Sequence, residues 1–162
     1  MNLDFERKEE INYSIIIPHK NSTVLLERCL KSIPCRKDVQ VIVVDDNSEN
    51  QEELNAVVGG FSQVELILTQ GGGAGHARNE GLKYIRGKWV LFADADDFYN
   101  KNAFSILDNY INSDNDVIYF FANSLDVNTL LPTPREKDLQ NIYEKYDSDN
   151  IRSADYIRFK NW

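Results

Sequence analysis

Three carboxylates follow one apolar stretch of the sequence. Asp94, Asp96 and Asp97 come directly after residues 88–93, which read KWVLFA. Carboxylates this close repel one another, and a hard divalent cation such as Mg²⁺ or Mn²⁺, which prefers oxygen ligands, relieves the repulsion. Proteins commonly hold these cations with one or two carboxylates together with the phosphate oxygens of a substrate. The alternative interpretation is an acidic turn in which Asp97 caps the next helix.

A second acidic pair, Asp45 and Asp46, follows the apolar residues 39–44. One of these carboxylates could cap the helix that we predict from Gln51, and the other could accept a hydrogen bond from a nucleobase or a ribose hydroxyl. Capping alone would explain the pair equally well.

A glycine-rich run, GGGAGHARNEG, occupies residues 71–81. Glycines before a helix either let a ligand approach the backbone closely or form a flexible loop, and the sequence favours neither. Arg78 falls in the first turn of the helix that we predict from His76. There it could reach a phosphate or a base, or it could pair with Glu80 or Asp96.

The segments that must position these residues alternate between apolar strands and helices of about ten residues. We predict strands at residues 13–17, 39–44, 64–69, 88–93 and 116–122, the first of them ending at Pro18. We predict helices between Ser22 and Pro34 and at residues 51–58, 76–85 and 102–111. This alternation indicates an α/β fold with a mostly parallel open sheet and helices on both faces. Ligands of such sheets bind outside the carboxyl ends of the strands, where the acidic pairs and the glycine run fall.

Composition and charge exclude several classes of function. The net charge of −8 and the lack of a basic run argue against a nucleic-acid partner. The glycine run fails the GxGxxG fingerprint of dehydrogenases, and Gly87 and Lys88 fail the pattern of a phosphate loop. No stretch approaches the roughly 18 apolar residues that a transmembrane helix needs.

Four segments in order, IIIPHKN, VIVVDDNS, GAGHARNEG and WVLFADADD, resemble the motifs of GT-A glycosyltransferases of family 2. The resemblance covers about residues 13–100 and is specific as a set. The glycine run is also similar to one in glycosyltransferases from bacterial capsule or cell-surface polysaccharide gene clusters. The resemblance implies a Rossmann-like GT-A half and transfer of a sugar, with UDP as the leading nucleotide, from a nucleotide-diphosphate sugar to a glycan acceptor hydroxyl.

The resemblance also implies roles for single residues. Asp46 would contact the nucleobase, Pro18 would line the base pocket, Arg78 would lie near the nucleotide, and Asp96 would coordinate a Mn²⁺ or Mg²⁺ ion bridging the two phosphates. The candidate nucleotide-binding residues are Pro18, Asp45, Asp46, Arg78, Asp94 and Ala95, and the candidate metal ligands are Asp94 and Asp96. The metal would stabilise the departing nucleoside diphosphate as a Lewis acid.

An inverting member of the family also needs a carboxylate base to deprotonate the acceptor. Asp147, Asp149 and Asp155 are the late acidic candidates, but none has a convincing context, so we assign no base. A nucleotidyltransferase and a non-catalytic nucleotide-sugar-binding module are the alternative functions. The first would be expected to carry a glycine-rich basic motif after the first strand, and PHKNS has no glycine there.

The resemblance divides the chain into three parts. We expect an N-terminal extension at residues 1–12, the nucleotide-sugar-binding domain at residues 13–123, and the start of an incomplete acceptor-side region at residues 124–162. That last region is predicted to contain an irregular or hairpin segment at residues 125–135 and a polar helix at residues 136–146. We expect a cytoplasmic protein that continues past Trp162, with peripheral contact at the inner membrane face in the full-length form, and possible homo-oligomers.

Overall fold

A computed structural model describes residues 10–118, 122–126 and 128–138 of the chain. The chain divides into two compact units, residues 1–114 and residues 115–162. The first unit holds the sheet and the helices that surround it. The predicted boundary after residue 123 separates functional regions rather than packed units, and it stays a prediction.

Four parallel strands form the sheet, in the order β3, β2, β1, β4. The strands are β1 at Tyr13–His19, β2 at Val39–Asp45, β3 at Val64–Leu68 and β4 at Trp89–Phe92. The two central strands are buried along their whole length. Near-continuous runs of Ile and Val suit this position because both faces of a central parallel strand are covered.

Helices cover both faces of the sheet, which confirms the predicted α/β fold. They are α1 at Thr23–Ser32, α2 at Gln51–Val58, α3 at Gly73–Gly81 and the short α4 at Ala103–Leu107. Single 3₁₀ turns extend the last two, at Leu82–Tyr84 and Asp108–Tyr110.

Alternate residues of the central strands pack into two separate cores, because successive side chains of a strand point to opposite faces of the sheet. Ile15 and Ile17 pack in the larger core with residues of α1, α2 and α4. Ile16 packs on the other face with Ala77 of α3. Each helix therefore has its position fixed by one face of the sheet.

Strand β1 continues through Pro18, so the prediction that it stops there was wrong. Proline lacks an N–H, but the backbone groups of successive strand residues point to opposite neighbours. The Ile16 carbonyl accepts from Ala93 N on the β4 side, whereas the His19 carbonyl accepts from Asp46 N on the β2 side. Pro18 thus faces the β4 side, where the ladder has already ended at the Ile16 and Phe92 pair, and no ladder hydrogen bond is lost.

Three other element predictions need correction. Helix α3 begins at Gly73, three residues before the predicted start at His76. Helix α4 is shorter than the predicted 102–111, because its last turn tightens into a 3₁₀ turn. Residues 116–118 are not in a strand, and residues 119–121 of the predicted fifth strand lie outside the described residues.

The second unit shows a small hairpin-like pairing. Leu125 and Pro132 form an isolated antiparallel bridge, which confirms the predicted hairpin character of residues 125–135. The buried Glu136 accepts a hydrogen bond from the Asn123 side chain at 2.6 Å. Residues 134–138 are helical, and the rest of the predicted helix at 136–146 lies outside the described residues. Within the described part of the chain, no helix is long and apolar enough to cross a membrane.

The contact between α3 and the sheet leads to a stability prediction. A Cβ added at Gly81 would lie 2.6 Å from Ile16 Cγ2 and 3.2 Å from Val44 Cγ2. Overpacking of this kind costs about 1 to 3 kcal/mol, so Gly81→Ala should lower the free energy of unfolding by that amount in urea denaturation. Gly75→Ala is the matched control, because its Cβ meets nothing within 4 Å. It should stabilise the protein by about 0.5 to 1 kcal/mol. Equal stability of the two variants would contradict this packing.

Candidate donor-binding site

The carboxyl ends of β1, β2 and β4 meet at one edge of the sheet because the strands are parallel. A cleft of about 320 Å³ opens there. Its lining residues are Pro18, Lys20, Ser22, Leu25, Ala74, Arg78, Asp94, Ala95 and Asp96. The structure thus brings together Pro18, Arg78, Asp94, Ala95 and Asp96 from the predicted set. Asp45 and Asp46 do not line this cleft.

An ion pair between Arg78 of α3 and Asp94 joins two walls of the cleft. Neither of the partners suggested from the sequence is used, since Glu80 instead accepts from Lys83 at 2.7 Å. The Asp94 side chain remains 54% exposed, so its outer oxygen faces solvent and the cleft. The pair places one positive and one negative charge side by side at the cleft wall.

The acidic residues after β4 form a tight turn. Asp97 N donates to the Asp94 carbonyl at 3.0 Å, and the Asp96 carbonyl accepts from the Arg28 guanidinium at 2.6 Å. Partial desolvation, followed by the negative charges of Asp96 and Asp94, raises the pKa of the Asp97 carboxyl. The turn therefore concentrates negative charge at one end of the cleft.

The interpretation of Asp97 as a helix cap was wrong. The residue at the N-cap of α4 is Asn102, which makes no side-chain capping hydrogen bond. Asp97 stands too early, because four residues separate it from that position. The acidic residues are thus not explained by capping.

Asp45 is fully buried at the end of β2 and is bonded on both oxygens. Its carboxylate accepts from Ser48 N at 2.9 Å, from Gln51 Nε2 at 2.8 Å and from the Ser48 hydroxyl. His19 Nδ1 lies 2.9 Å from the same carboxylate. Because the other ring nitrogen, Nε2, accepts from Ser22 N at 3.1 Å, the ring carries its proton on Nδ1 and donates it to Asp45.

Helix α2 is capped by Asn50 rather than by either aspartate. The Asn50 side chain accepts from Glu53 N at 3.1 Å, which is the usual N-cap hydrogen bond. Asp45 instead organises the loop before the helix. The expectation that one of the paired carboxylates caps α2 was therefore wrong, since a better-placed Asn immediately precedes the helix.

Asp46 connects the loop after β2 to the start of α3. Both of its oxygens accept from Gly73 N, each at 3.0 Å. Gly71, Gly72 and Gly73 have φ values of 99°, 137° and 84°, which lie in the region that favours glycine. These values turn the chain so that the Gly73 N–H meets the carboxylate, and this contact starts α3 earlier than the sequence predicted. The first two glycines of the run accordingly form a structured turn, and the rest of the run forms α3.

Lys20, Ser22, Leu25 and Ala74 line the cleft but were missed in the sequence. Lys20 could have been found, because it follows β1 at the same carboxyl edge that pointed to Asp46 and Asp94. Ala74 could also have been found, since it lies one helical turn before Arg78. His19, at the end of β1, is buried and bonded through both ring nitrogens.

Comparison with known proteins identifies the family. Residues 14–159 match the family described as Glycosyl transferase family 2, and the chain belongs to this family. Over 98 residues the chain is 34% identical to a poly(ribitol-phosphate) β-glucosyltransferase of Bacillus spizizenii, covering 56% of this chain and 16% of that protein. Over 106 residues it is 38% identical to the poly(ribitol-phosphate) β-N-acetylglucosaminyltransferase TarS of Staphylococcus aureus, covering 57% of this chain and 18% of that protein.

A solved structure shows the same architecture. The crystal structure of residues 1–349 of S. aureus TarS superposes with a TM-score of 0.55 at 28% identity, covering 62% of this chain and 32% of that chain. The chain thus spans less than a fifth of the length of the two curated relatives named above. The predicted GT-A family 2 membership is confirmed.

The buried network around Asp45 leads to a prediction on pH dependence. Burial opposes ionisation of Asp45, but the hydrogen bonds from Ser48, Gln51 and His19 outweigh it and hold the pKa below its ordinary value. The charged form therefore stabilises the fold above that ordinary value, and this contribution is lost as the pH falls through the folded-state pKa.

Asp45→Asn should lower the free energy of unfolding by about 2 to 4 kcal/mol at pH 7. The substitution removes the charged acceptor and turns an amide NH₂ group toward side chains and an N–H that are themselves donors. The difference from the wild type should narrow as the pH falls below about 4. Urea denaturation of both proteins from pH 7 to pH 3 measures it. A difference that stays constant over that range would rule out the proposed charge of Asp45.

Proposed function

We propose that this chain binds the nucleotide-diphosphate sugar of a metal-dependent glycosyltransferase, with UDP as the preferred nucleotide. The observation that carries the proposal is a cleft at the carboxyl edge of the sheet, which is lined by Arg78, Asp94 and Asp96. Family membership supports a sugar-transfer reaction. Because the chain covers a small share of its relatives, the activity of the whole protein is part of the proposal.

The base end of the site would lie near Asp46 and Pro18. The two oxygens of Asp46 each accept one hydrogen bond from Gly73 N, and a carboxylate has about four acceptor positions. In this proposal Asp46, which is 8% exposed, accepts a further N–H from a pyrimidine base through the small exposed part of its side chain. Asp45 has its two oxygens bonded to protein groups, so in this proposal it positions Asp46 and does not touch the nucleotide.

The phosphate end would lie at Asp94 and Asp96. Their donor atoms are carboxylate oxygens, which suit Mg²⁺ or Mn²⁺. Within the described ranges no group of three or more His, Cys, Asp or Glu side chains could hold a metal ion by itself. Two carboxylates fit an ion that takes its other ligands from diphosphate oxygens and water. When bound, such an ion neutralises the negative charge of the departing nucleoside diphosphate.

Arg78 would hold the phosphate end in place from α3. Its guanidinium fork can keep Asp94 on one side and offer its remaining N–H groups to a phosphate on the other. The ion pair also orients Asp94, because a side chain that is half exposed would otherwise sample several rotamers. Arg78 and the carboxylates together fix the phosphates before transfer, which lowers the entropic cost of the reaction.

The acceptor side of the reaction follows from the relatives. Two of them are named as acting on poly(ribitol-phosphate), and we extend this to a hydroxyl group of a cell-surface glycan or polyol-phosphate polymer. An inverting mechanism, a location at the cytoplasmic membrane face and homo-oligomers stay predictions. The candidate bases Asp147, Asp149 and Asp155 lie outside the described residues.

Calorimetric titration tests the proposal directly. UDP should bind the 162-residue chain in the presence of Mn²⁺, and Asp96→Asn should weaken that binding at least tenfold because it removes one charged ligand of the metal, about 1.4 kcal/mol or more. Asp114→Asn is the matched control, since this exposed aspartate does not line the cleft. It should bind UDP like the wild type. A folded wild-type chain that binds none of UDP, GDP, CDP and dTDP with Mn²⁺ would refute the proposed function.

A further inference from the structure

Lys20 is carried by a backbone segment that is anchored on both sides. Before it, the buried His19 ring bonds to Asp45 and to Ser22 N. After it, Asn21 N donates to the Ser48 hydroxyl at 2.8 Å, and Glu49 N donates to the Asn21 side chain at 2.8 Å. Asn21 has a φ of 54°, which marks a fixed tight turn. The backbone of Lys20 is therefore held in place independently of its side chain.

The side chain of Lys20 points into the cleft and keeps much of its freedom. It is 55% exposed, and its Nζ lies 3.7 Å from Asp46 Oδ2, longer than a good hydrogen bond. Asp46 already accepts the Gly73 N–H, whose nitrogen lies 3.0 Å from both carboxylate oxygens. The interaction with Asp46 thus leaves the ammonium group able to bind another anion.

The two cations that line the cleft differ in how closely a carboxylate neutralises them. The charged lining residues are Lys20, Arg78, Asp94 and Asp96. Arg78 and Asp94 compensate each other in a direct ion pair, whereas Lys20 has its nearest carboxylate beyond hydrogen-bonding distance. Lys20 is accordingly the cation of the cleft that has most to gain from a ligand phosphate.

We propose that Lys20 is a binding residue for the phosphate groups of the nucleotide, in the cleft that it lines together with Arg78, Asp94 and Asp96. A lysine ammonium is a compact, flexible point charge, which suits a phosphate whose other oxygens are bound elsewhere. This contact would let the cleft distinguish a nucleoside diphosphate from its uncharged nucleoside. The inference rests on the proposed function, because it assumes that a nucleotide occupies this cleft.

A purely structural role of Lys20 makes a different prediction. If Lys20 only neutralises Asp46, its loss would disturb the base end of the site. The affinities for a nucleoside and for its diphosphate would then fall by the same factor. If Lys20 binds phosphate, its removal would lower the affinity for the diphosphate alone. The comparison of two ligands therefore separates the two roles.

The test uses the whole 162-residue chain with Mn²⁺ and whichever of UDP, GDP, CDP and dTDP binds best, together with the matching nucleoside. Lys20→Gln should lower the affinity for the diphosphate about tenfold, measured by calorimetry. It should change the affinity for the nucleoside less than about twofold, measured by NMR titration. Lys20→Arg, which keeps the charge, should stay within about threefold of the wild type. Lys31→Gln is the control, because Lys31 lies in the last turn of α1, pairs with Glu27 and is similarly exposed.

The salt dependence of the diphosphate affinity gives a second readout. Loss of a phosphate-binding cation should flatten the fall of affinity with NaCl concentration in Lys20→Gln but not in Lys31→Gln. Unchanged diphosphate affinity, an equal loss for nucleoside and diphosphate, or an unchanged salt slope would each overturn the role of Lys20. A wild-type chain that binds no nucleoside diphosphate would instead refute the proposed function itself.

Discussion

The buried carboxylate of Asp45 is the interaction on which the geometry of the site depends. It ties the end of β1, through His19, to the loop after β2, through Ser48, and to the first residue of α2, through Gln51. A buried charge is costly unless its lone pairs are satisfied, and here several donors converge on it. This requirement fixes both loops relative to the sheet. The backbone of the neighbouring residues, Lys20 and Asp46, is consequently held in a defined position.

Adjacent aspartates of the VDDNS segment have opposite roles because strand residues alternate in direction. Asp45 points inward and is bonded by protein groups, whereas Asp46 turns toward α3 and meets the backbone of Gly73. The same division recurs after β4, where Ala95 is buried while Asp94 and Asp96 stay exposed. The buried Asp45 holds the loop after β2, and the exposed Asp94 and Asp96 are available to a ligand. Reactive groups are thus positioned by neighbours that take no part in binding.

The sequence predicted the sheet well because the strands are long runs of Ile, Val and Leu that only a buried parallel strand accommodates. It also predicted that a cleft forms at the carboxyl edge, since that follows from strand direction, but the loop after β2 does not line it. It failed where tertiary contacts decide the outcome. The start of α3 depends on Asp46 accepting from Gly73, and the partner of Arg78 depends on how α3 packs on β1 and β2. Neither is a property of local sequence. Pro18 inside β1 is tolerated only because β4 is shorter than β2, which the strand sequence does not reveal.

Paramagnetic NMR tests most directly whether the cleft at the carboxyl edge binds a metal and a nucleotide together. Mn²⁺ broadens the amide signals of residues close to it, so the spectrum reports where the ion lies. With UDP present, the signals of Ala95, Asp96 and Ala74 should broaden, while that of Gly87 at the opposite edge of the sheet should stay sharp. Omission of UDP should reduce the effect, because phosphate oxygens complete the coordination of the ion. Broadening centred elsewhere on the chain, or broadening near Asp96 that UDP leaves unchanged, would contradict the account.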